Sequence, residues 1–283
     1  MDGIIRTMLN LLTQGGFGNV SKDLLLSPDQ YNSSLYQAAV TLHETAVLPV
    51  TAVVLSIVSV LAISTGATRM DMGDQQLGVR MIAAAMFRIA IVITITQNAL
   101  HILKAIDEIV REVTVAANNV NFGGGGSSGT RVGEELSDQI GSLGLSDKLV
   151  VIILLLIPFL LATIVSALTT VLIFVRFLQL YVMTCFVSLP VAFWGMEETK
   201  DIPYGYVKSY ASTAFQGAVL LISLKMYQAL MASWASDGMK INADSDVMDL
   251  VVNNLGQFFV GPLVLAGVIF GASTLSKKII GDR

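Results

Sequence analysis

Charged residues are scarce in this chain: Asp, Glu, Lys and Arg make up 13% of its 283 residues, while 54% are hydrophobic. Soluble domains carry about 25% charged residues, so this composition excludes an ordinary soluble domain. Several runs of about 18 or more apolar residues are long enough to cross a bilayer as helices. These runs do not alternate apolar and polar residues as the strands of a membrane β-barrel do. We therefore predict an all-α, polytopic helical membrane protein.

Cysteine and histidine are nearly absent. Cys185 is the single cysteine, so no disulfide within the chain can form, and its apolar neighbours indicate a small packing residue. The two histidines, His43 and His101, are far apart and have no ligand partner at helical spacing, which argues against a metal site. The first 16 residues, "MDGIIRTMLNLLTQGG", lack the apolar core of a signal peptide. We expect the internal spans to direct insertion.

Catalytic motifs are also missing. The sequence has no phosphate-binding P-loop, no G-x-S-x-G and no H-E-x-x-H, and the glycine run at 123–126 is not followed by Lys-Ser/Thr. We predict that the protein is not an enzyme and that it has no catalytic, cofactor-binding or metal-binding residues. Any ATPase that drives its activity would be a separate protein.

Hydropathy divides the chain into five regions. Residues 1–46 form an amphipathic N-terminal region, 47–102 two transmembrane helices, and 103–148 a helix followed by the linker "NFGGGGSSGT" at 121–130. Residues 149–275 form the transmembrane core, and 276–283 are a basic tail. The predicted spans are 47–66, 79–102, 149–175, 210–234 and 258–275.

The N-terminal region has two helix signals. One is a set of apolar residues at helical spacing: Ile4, Ile5, Met8, Leu9, Leu11 and Leu12. The other is "SPDQ", in which Ser27 is an N-cap, Pro28 the first helical residue and Gln30 the capping-box partner. We expect a short amphipathic helix and then a second helix that runs toward the membrane.

The density of Lys and Arg in short loops marks the cytoplasmic side of a membrane protein. It is highest at 67–80, at 197–208 and in the basic tail, which places these segments inside. The N-terminal region, 103–148 and the acidic loop at 235–257 then lie outside, with five crossings. A raw count of Lys and Arg favours a rival with six crossings.

Arg176 is the only formally charged residue between positions 149 and 196. A continuous helix of this length would be roughly 70 Å long, against a hydrocarbon core of about 30 Å. We predict a span that ends at Arg176 on the inner side, with 177–195 covered by neighbouring helices or subunits. In the six-crossing rival, the chain turns tightly at Arg176.

Three cations lie in or near spans, while the predicted spans contain no Asp or Glu: Arg88, Arg176 and Lys225. Intramembrane charges normally pair or face water. These side chains either snorkel to the nearest interface or face a lumen, a subunit interface or lipid phosphates.

Small residues recur at four-residue spacing in two spans, which allows close helix approach and indicates oligomerisation. They are Gly267 and Gly271 in "GVIFG", and Ala162, Ser166 and Thr170.

The stretch "RFLQLYVMTCFVSLPVAFWGMEETK" is an Arg-aromatic-apolar helix that ends in a proline and a small polar turn. Together with the order of hydropathy, it resembles the TrbL-like polytopic inner-membrane subunits of conjugative type IV secretion systems, in their compact Gram-positive form. The resemblance implies an oligomer of about five copies in the inner or plasma membrane, with an outside N-terminus, five spans and an inside tail. Its implied partners are other secretion subunits and their ATPases, membrane lipids, and translocated DNA in transient contact.

Two alternatives stay open at the level of sequence. A small-solute transporter or ion channel would be expected to have carboxylates or broken helices at the membrane midplane. A scaffold without a pore, in a cell-envelope complex, would need neither.

Overall fold

Helices form all the regular secondary structure in the described part of the computed structural model, which is residues 1–14, 20–71, 75–120, 137–196, 198–238, 251–253 and 255–282. The linker predicted at 121–130 and most of the acidic loop lie outside these residues. The chain divides into two compact units. Unit 1 consists of 1–25, 112–174 and 216–275, and unit 2 consists of 26–111, 175–215 and 276–283.

The described α-helices of eight or more residues include five that are long and apolar enough to cross a membrane. The candidate spans are Ser33–Ser64, Val79–Gln97, Leu145–Phe186, Asp201–Met231 and Leu255–Ile280. This confirms the predicted class of protein and five spans. In chain order the α-helices are α1 (Asp2–Gln14), α2 (Val20–Leu24), α3 (Pro28–Tyr31), α4 (Ser33–Leu42), α5 (Leu48–Asp71), α6 (Gln75–Gln97), α7 (Ala99–Asn119), α8 (Ser137–Ser142), α9 (Leu145–Phe186), α10 (Ser188–Ala192), α11 (Asp201–Gly238) and α12 (Leu255–Ile280).

The helix that contains the first candidate span begins at Ser33, before the predicted start of that span at residue 47. After the capping box at Ser27, a break at Asn32 starts α4, because the Asn32 side chain accepts a hydrogen bond from the Leu35 N–H at 3.0 Å. The helix then runs on through a π-helical segment, His43–Val47, into α5. Pro49 follows this segment. Since proline lacks an N–H and clashes with the carbonyl four residues earlier, the wider π turn accommodates it.

Helix α9 is continuous for 42 residues through Arg176. The six-crossing rival, which needs a tight turn at Arg176, is therefore wrong. The helix also extends eleven residues beyond the predicted end at 175, to Phe186. It ends there because Pro190 cannot donate a hydrogen bond to the Phe186 carbonyl. The predicted helix that ends near a proline is confirmed.

A compact turn in unit 2 returns the chain from α10 into α11. A 3₁₀ turn, Phe193–Gly195, follows α10, and the Thr199 hydroxyl donates to the Phe193 carbonyl at 2.6 Å. Further along, the Tyr206 hydroxyl donates to the Met183 carbonyl. The Tyr206 bond holds the start of α11 against the end of α9.

The core of unit 1 forms around the apolar face of α1. Ile5, Leu9 and Leu12 are fully or almost fully buried, and they belong to one cluster with Leu155 of α9 and Phe258 of α12. The other side of α1 stays exposed, as Ile4 shows. The predicted amphipathic N-terminal helix is thus confirmed, and its apolar stripe packs on span helices.

Segments from α7 and from the C-terminal tail both contact the first half of α11 in unit 2. The Tyr210 hydroxyl donates to Asp107 of α7 at 2.8 Å, and the Ser212 hydroxyl donates to Asp282 of the tail at 3.2 Å. Since two residues of a helix rise only about 3 Å, these two contacts lie close together along α11.

The close approach of the 3₁₀ turn to α5 can be tested at Gly195. A Cβ added at Gly195 would lie 2.8 Å from Cγ1 of Val58, and the β-branched valine is stiff. We expect Gly195→Ala to cost about 1–3 kcal/mol through overpacking, which thermal unfolding in detergent would measure.

The matched control is Gly205→Ala in α11, because no atom lies within 4 Å of a Cβ at that position. Val58→Ala should restore much of the stability lost in Gly195→Ala. Equal melting temperatures for Gly195→Ala and the wild type would contradict the close approach of these two residues.

Candidate functional site

The side chain of Arg176 is only 4% exposed, inside an otherwise apolar stretch of α9. Its guanidinium carbon lies 4.3 Å from the centroid of the Phe177 ring. Tyr31 of α3 is stacked on that ring at 3.9 Å between centroids and 10° between planes, and the Tyr181 ring lies 6.5 Å from it. A cation over an aromatic face contributes about 0.5–2 kcal/mol, more when water is excluded. Contact with the Phe177 ring therefore offsets part of the free energy that burial of the Arg176 charge costs.

The carboxyl group of Asp107, on α7, belongs to the same region of unit 2. Its Oδ2 accepts a hydrogen bond from the Tyr210 hydroxyl of α11 at 2.8 Å. Burial raises the pKa of Asp107 to about 7, although the Tyr210 hydrogen bond and the charge of Arg176 act to lower it. The negative charge of Asp29 acts with burial to raise it. Asp107 therefore changes charge near neutral pH.

Arg176 and Asp107 attract each other electrostatically. However, Arg176 Nε and Asp107 Oδ1 are both buried without a hydrogen-bond partner among the described residues. A buried polar group without a partner costs free energy. The two charges thus form a polar centre whose electrostatic balance depends on the protonation of Asp107.

Tyrosines surround this centre and connect the helices that carry it. The Tyr181 hydroxyl donates to the Pro28 carbonyl at 2.8 Å, and Tyr36 meets Tyr181 edge to face at 6.5 Å. The ammonium group of Lys104 lies 5.8 Å from the Tyr36 ring centroid. The site, which we call the Arg176 centre, is Arg176, Asp107, Tyr210, Phe177, Tyr31, Tyr36 and Tyr181.

The other two predicted cations lie elsewhere. Lys225, in unit 1, donates to the Asn118 carbonyl. Since this carbonyl is in the last turn of α7, where helix carbonyls have no partner within the helix, Lys225 stabilises a helix C-terminus. Arg88 is exposed on α6 and lines an open groove in unit 2. The structure does not bring the three cations into one site.

The predicted small-residue stripes make few close contacts within the chain. A Cβ at Gly267 or Gly271 would meet no atom within 4 Å. Ala162 is buried in unit 1, but Ser166 is half-buried and Thr170 exposed. The glycine of α12 in a close approach is Gly261, where a Cβ would lie 3.0 Å from the Tyr227 hydroxyl.

Sequence reasoning missed Asp107 and Tyr210. Asp107 lies four residues before Arg111, a spacing that predicts an ion pair on an exposed helix face, whereas Arg111 pairs with Glu108 at 2.7 Å. The sequence did contain one indication. The predicted spans have no Asp or Glu, so a buried arginine in a span requires a carboxylate from another segment. Asp107 lies ten residues beyond the candidate span that ends at Gln97. The choice among nearby carboxylates depends on tertiary packing.

The raised pKa of Asp107 gives a pH prediction. The folded chain keeps a proton on Asp107 up to about pH 7, while an unfolded chain releases it near pH 3.9. This linkage stabilises the fold fully below about pH 4 and is lost as pH rises through 7. Asp107→Asn should therefore flatten the fall in melting temperature between pH 5 and 8, and should equal or exceed the wild type at pH 8.

Glu108→Gln is the control, because Glu108 is exposed and pairs with Arg111. Its pH profile between 5 and 8 should follow the wild type. Parallel profiles for Asp107→Asn and wild type would mean that Asp107 titrates at its ordinary pKa.

The chain was compared with protein families, with curated proteins and with solved structures. No curated protein and no solved structure matches the chain. The family described as "TrbL/VirB6 plasmid conjugal transfer like protein" matches residues 14–188, more than half of the chain. This range contains α2 to α9, and with them Tyr31, Asp107 and Arg176. The chain belongs to the TrbL/VirB6 family of plasmid conjugal transfer-like membrane proteins.

Proposed function

We propose that this protein is a multi-pass subunit of a conjugative type IV secretion system, in the inner or plasma membrane, and that it helps to form the path for DNA–protein transfer between cells. The observation that carries the proposal is the family match over residues 14–188. The five candidate spans support the placement in a membrane. ATPases of the same system would supply energy, and other secretion subunits would be its neighbours.

The proposal includes self-assembly. Apolar side chains on the first span are largely exposed, including Val53 at 61% and Val60 at 66%. In a bilayer, such faces contact lipid or another copy of the chain. Gly267 and Gly271 leave open space on α12, where a partner helix could approach closely. These features support a homo-oligomer, for which the family resemblance implies about five copies.

Deletion of the gene from a donor cell tests the function. We expect transfer of the mobile element to fall below detection and to return when the wild-type gene is supplied in the donor. The mating assay counts recipients that acquire the element. Because a solute transporter or ion channel would affect donor growth rather than transfer, growth of the deletion strain is measured in parallel.

Normal transfer from the deletion donor would contradict the proposal. Loss of transfer with a general growth defect would point to the transporter alternative. A Gly205→Ala protein, supplied in the same way, controls for the expression system, since nothing near Gly205 opposes a Cβ.

Gly271→Leu tests self-assembly. Because a Cβ at Gly271 meets nothing within the chain, the variant should keep its melting temperature when dispersed as a monomer in excess detergent. It should lose oligomer in mild detergent, seen as a shift to smaller mass in size-exclusion chromatography with light scattering. An oligomer unchanged in both Gly271→Leu and Gly267→Leu would place the interface elsewhere.

A further inference from the structure

The first part of α11 and the end of α12 carry a basic surface in unit 2. We call this surface the tail patch, and it consists of Lys208, Lys277, Lys278 and Ile279. The three lysines are exposed, and Ile279 is 60% exposed. All four residues lie outside the range 14–188 that the family match covers, and none belongs to the Arg176 centre.

Hydrogen bonds hold the two elements of the tail patch together. The Ser276 hydroxyl donates to the Ser212 carbonyl, and the Ser212 hydroxyl donates to the Asp282 carboxylate at 3.2 Å. Lys208 is one helical turn before Ser212, which is about 6 Å of rise, and Lys277 directly follows Ser276. Lys208 and Lys277 therefore flank the same contact between α11 and α12.

The last turn of α12 has a fixed backbone. Gly281 has a φ of 73°, and the Asp282 N–H donates to the Lys277 carbonyl at 2.9 Å, which is the Schellman arrangement that ends many helices. A lysine in the last turn also interacts favourably with the helix dipole. The dipole can account for the two lysines of α12, but it does not account for the exposed isoleucine that follows them.

The tail patch is positively charged. Among the described residues, no carboxylate lies within ion-pair distance of any of its three lysines. Asp282, the acidic residue that follows them in the tail, accepts a hydrogen bond from Ser212. Lys200 differs, because Glu198 and Asp201 lie within two residues of it. Since like charges held close together attract an anion, the tail patch fits an anionic partner.

The position of the tail patch favours a membrane surface as that partner. The candidate span in α12 ends at Ile280, and Lys208 comes two residues before the predicted span 210–234. At the end of a span, the stem of a lysine packs along apolar surface while its ammonium group extends toward the headgroups. An exposed isoleucine beside the lysines can enter the boundary between headgroups and acyl chains. A nucleic acid would use the lysines but would gain nothing from Ile279.

We propose that the tail patch binds anionic phospholipid headgroups, with the ammonium groups of its three lysines around the phosphates and Ile279 in the apolar layer beside them. Lysine suits this partner, because its flexible stem and compact charge can follow mobile headgroups without the fixed geometry of arginine. Binding anchors the end of α12 at the membrane surface and, through Ser212, the first part of α11 with it. The site does not depend on a role in conjugation.

Native mass spectrometry of the full-length protein in detergent, titrated with phosphatidylglycerol, resolves each bound lipid and measures this site. We expect saturable binding of phosphatidylglycerol and much weaker binding of phosphatidylcholine with the same acyl chains. Lys277→Gln with Lys278→Gln should weaken the binding of phosphatidylglycerol roughly thirtyfold, which corresponds to about 1 kcal/mol for each lysine.

Two further variants separate the tail patch from general charge and from folding. Lys200→Gln removes an exposed lysine that has acidic neighbours in the sequence, and it should bind phosphatidylglycerol like the wild type. Lys277→Arg with Lys278→Arg retains both charges and should keep most of the affinity. The melting temperatures of all these variants should stay at that of the wild type, because the changed side chains are exposed.

The proposal is overturned if the two lipids bind equally, or if the double glutamine variant binds phosphatidylglycerol like the wild type. It is also overturned if excess inorganic phosphate displaces the lipid, which would indicate a site for a free anion. Displacement by a single-stranded oligonucleotide would indicate a nucleic-acid surface instead. A loss of binding in Lys200→Gln equal to that in the double variant would reduce the effect to general surface charge.

Discussion

A single positive charge in the middle of an apolar helix constrains much of unit 2. Arg176 cannot reach water from its buried position, and α9 continues past it for ten residues. The chain therefore surrounds the guanidinium with groups from several helices: a ring on α9, a stacked tyrosine from α3 and a carboxyl group from α7. The position of each of those helices determines whether its side chain can reach the guanidinium. Arg176 thus fixes the relative placement of short elements that have little core of their own.

The net charge of the Arg176 centre depends on one carboxyl group, that of Asp107. With Asp107 ionised, the centre is a separated ion pair in a region with little water. With Asp107 protonated, Arg176 keeps its charge, supported by aromatic faces alone. Neither state satisfies every polar atom, since Arg176 Nε and Asp107 Oδ1 lack hydrogen-bond partners among the described residues. Because removing charges from water can cost more than their mutual attraction returns, the presence of this buried pair does not by itself make the fold more stable.

The helices could be predicted from the sequence because long apolar runs and helical periodicity are local properties. Five spans and the amphipathic α1 followed from them, and Pro190 marked the end of α9. The start of the helix that carries the first candidate span could not be found in this way, because polar residues such as Glu44 interrupt the apolar pattern between 33 and 46, although the helix is unbroken there. The residues of the Arg176 centre were more difficult to predict than the helices. Arg176 could be identified because it is a charged residue in an apolar run. Asp107 and Tyr210 could not, because they are 103 residues apart and only the packing of α7 on α11 brings them together.

The π-helical segment has a consequence for length variation in this region. Buried positions repeat every seven residues on each side of it, from Tyr36 to His43 and from Thr51 to Val58, but they are eight residues apart across it. A π turn absorbs one extra residue without rotating the helix beyond it. Glu44, Thr45 and Ala46 face away from the packed side. The hydroxyl oxygens of Thr51 and Ser188 lie 2.9 Å apart in a buried hydrogen bond. A chain that lacks one of the residues Glu44, Thr45 and Ala46 could form a regular α-helix and keep this contact, so relatives one residue shorter at this point would be expected to keep the same packing.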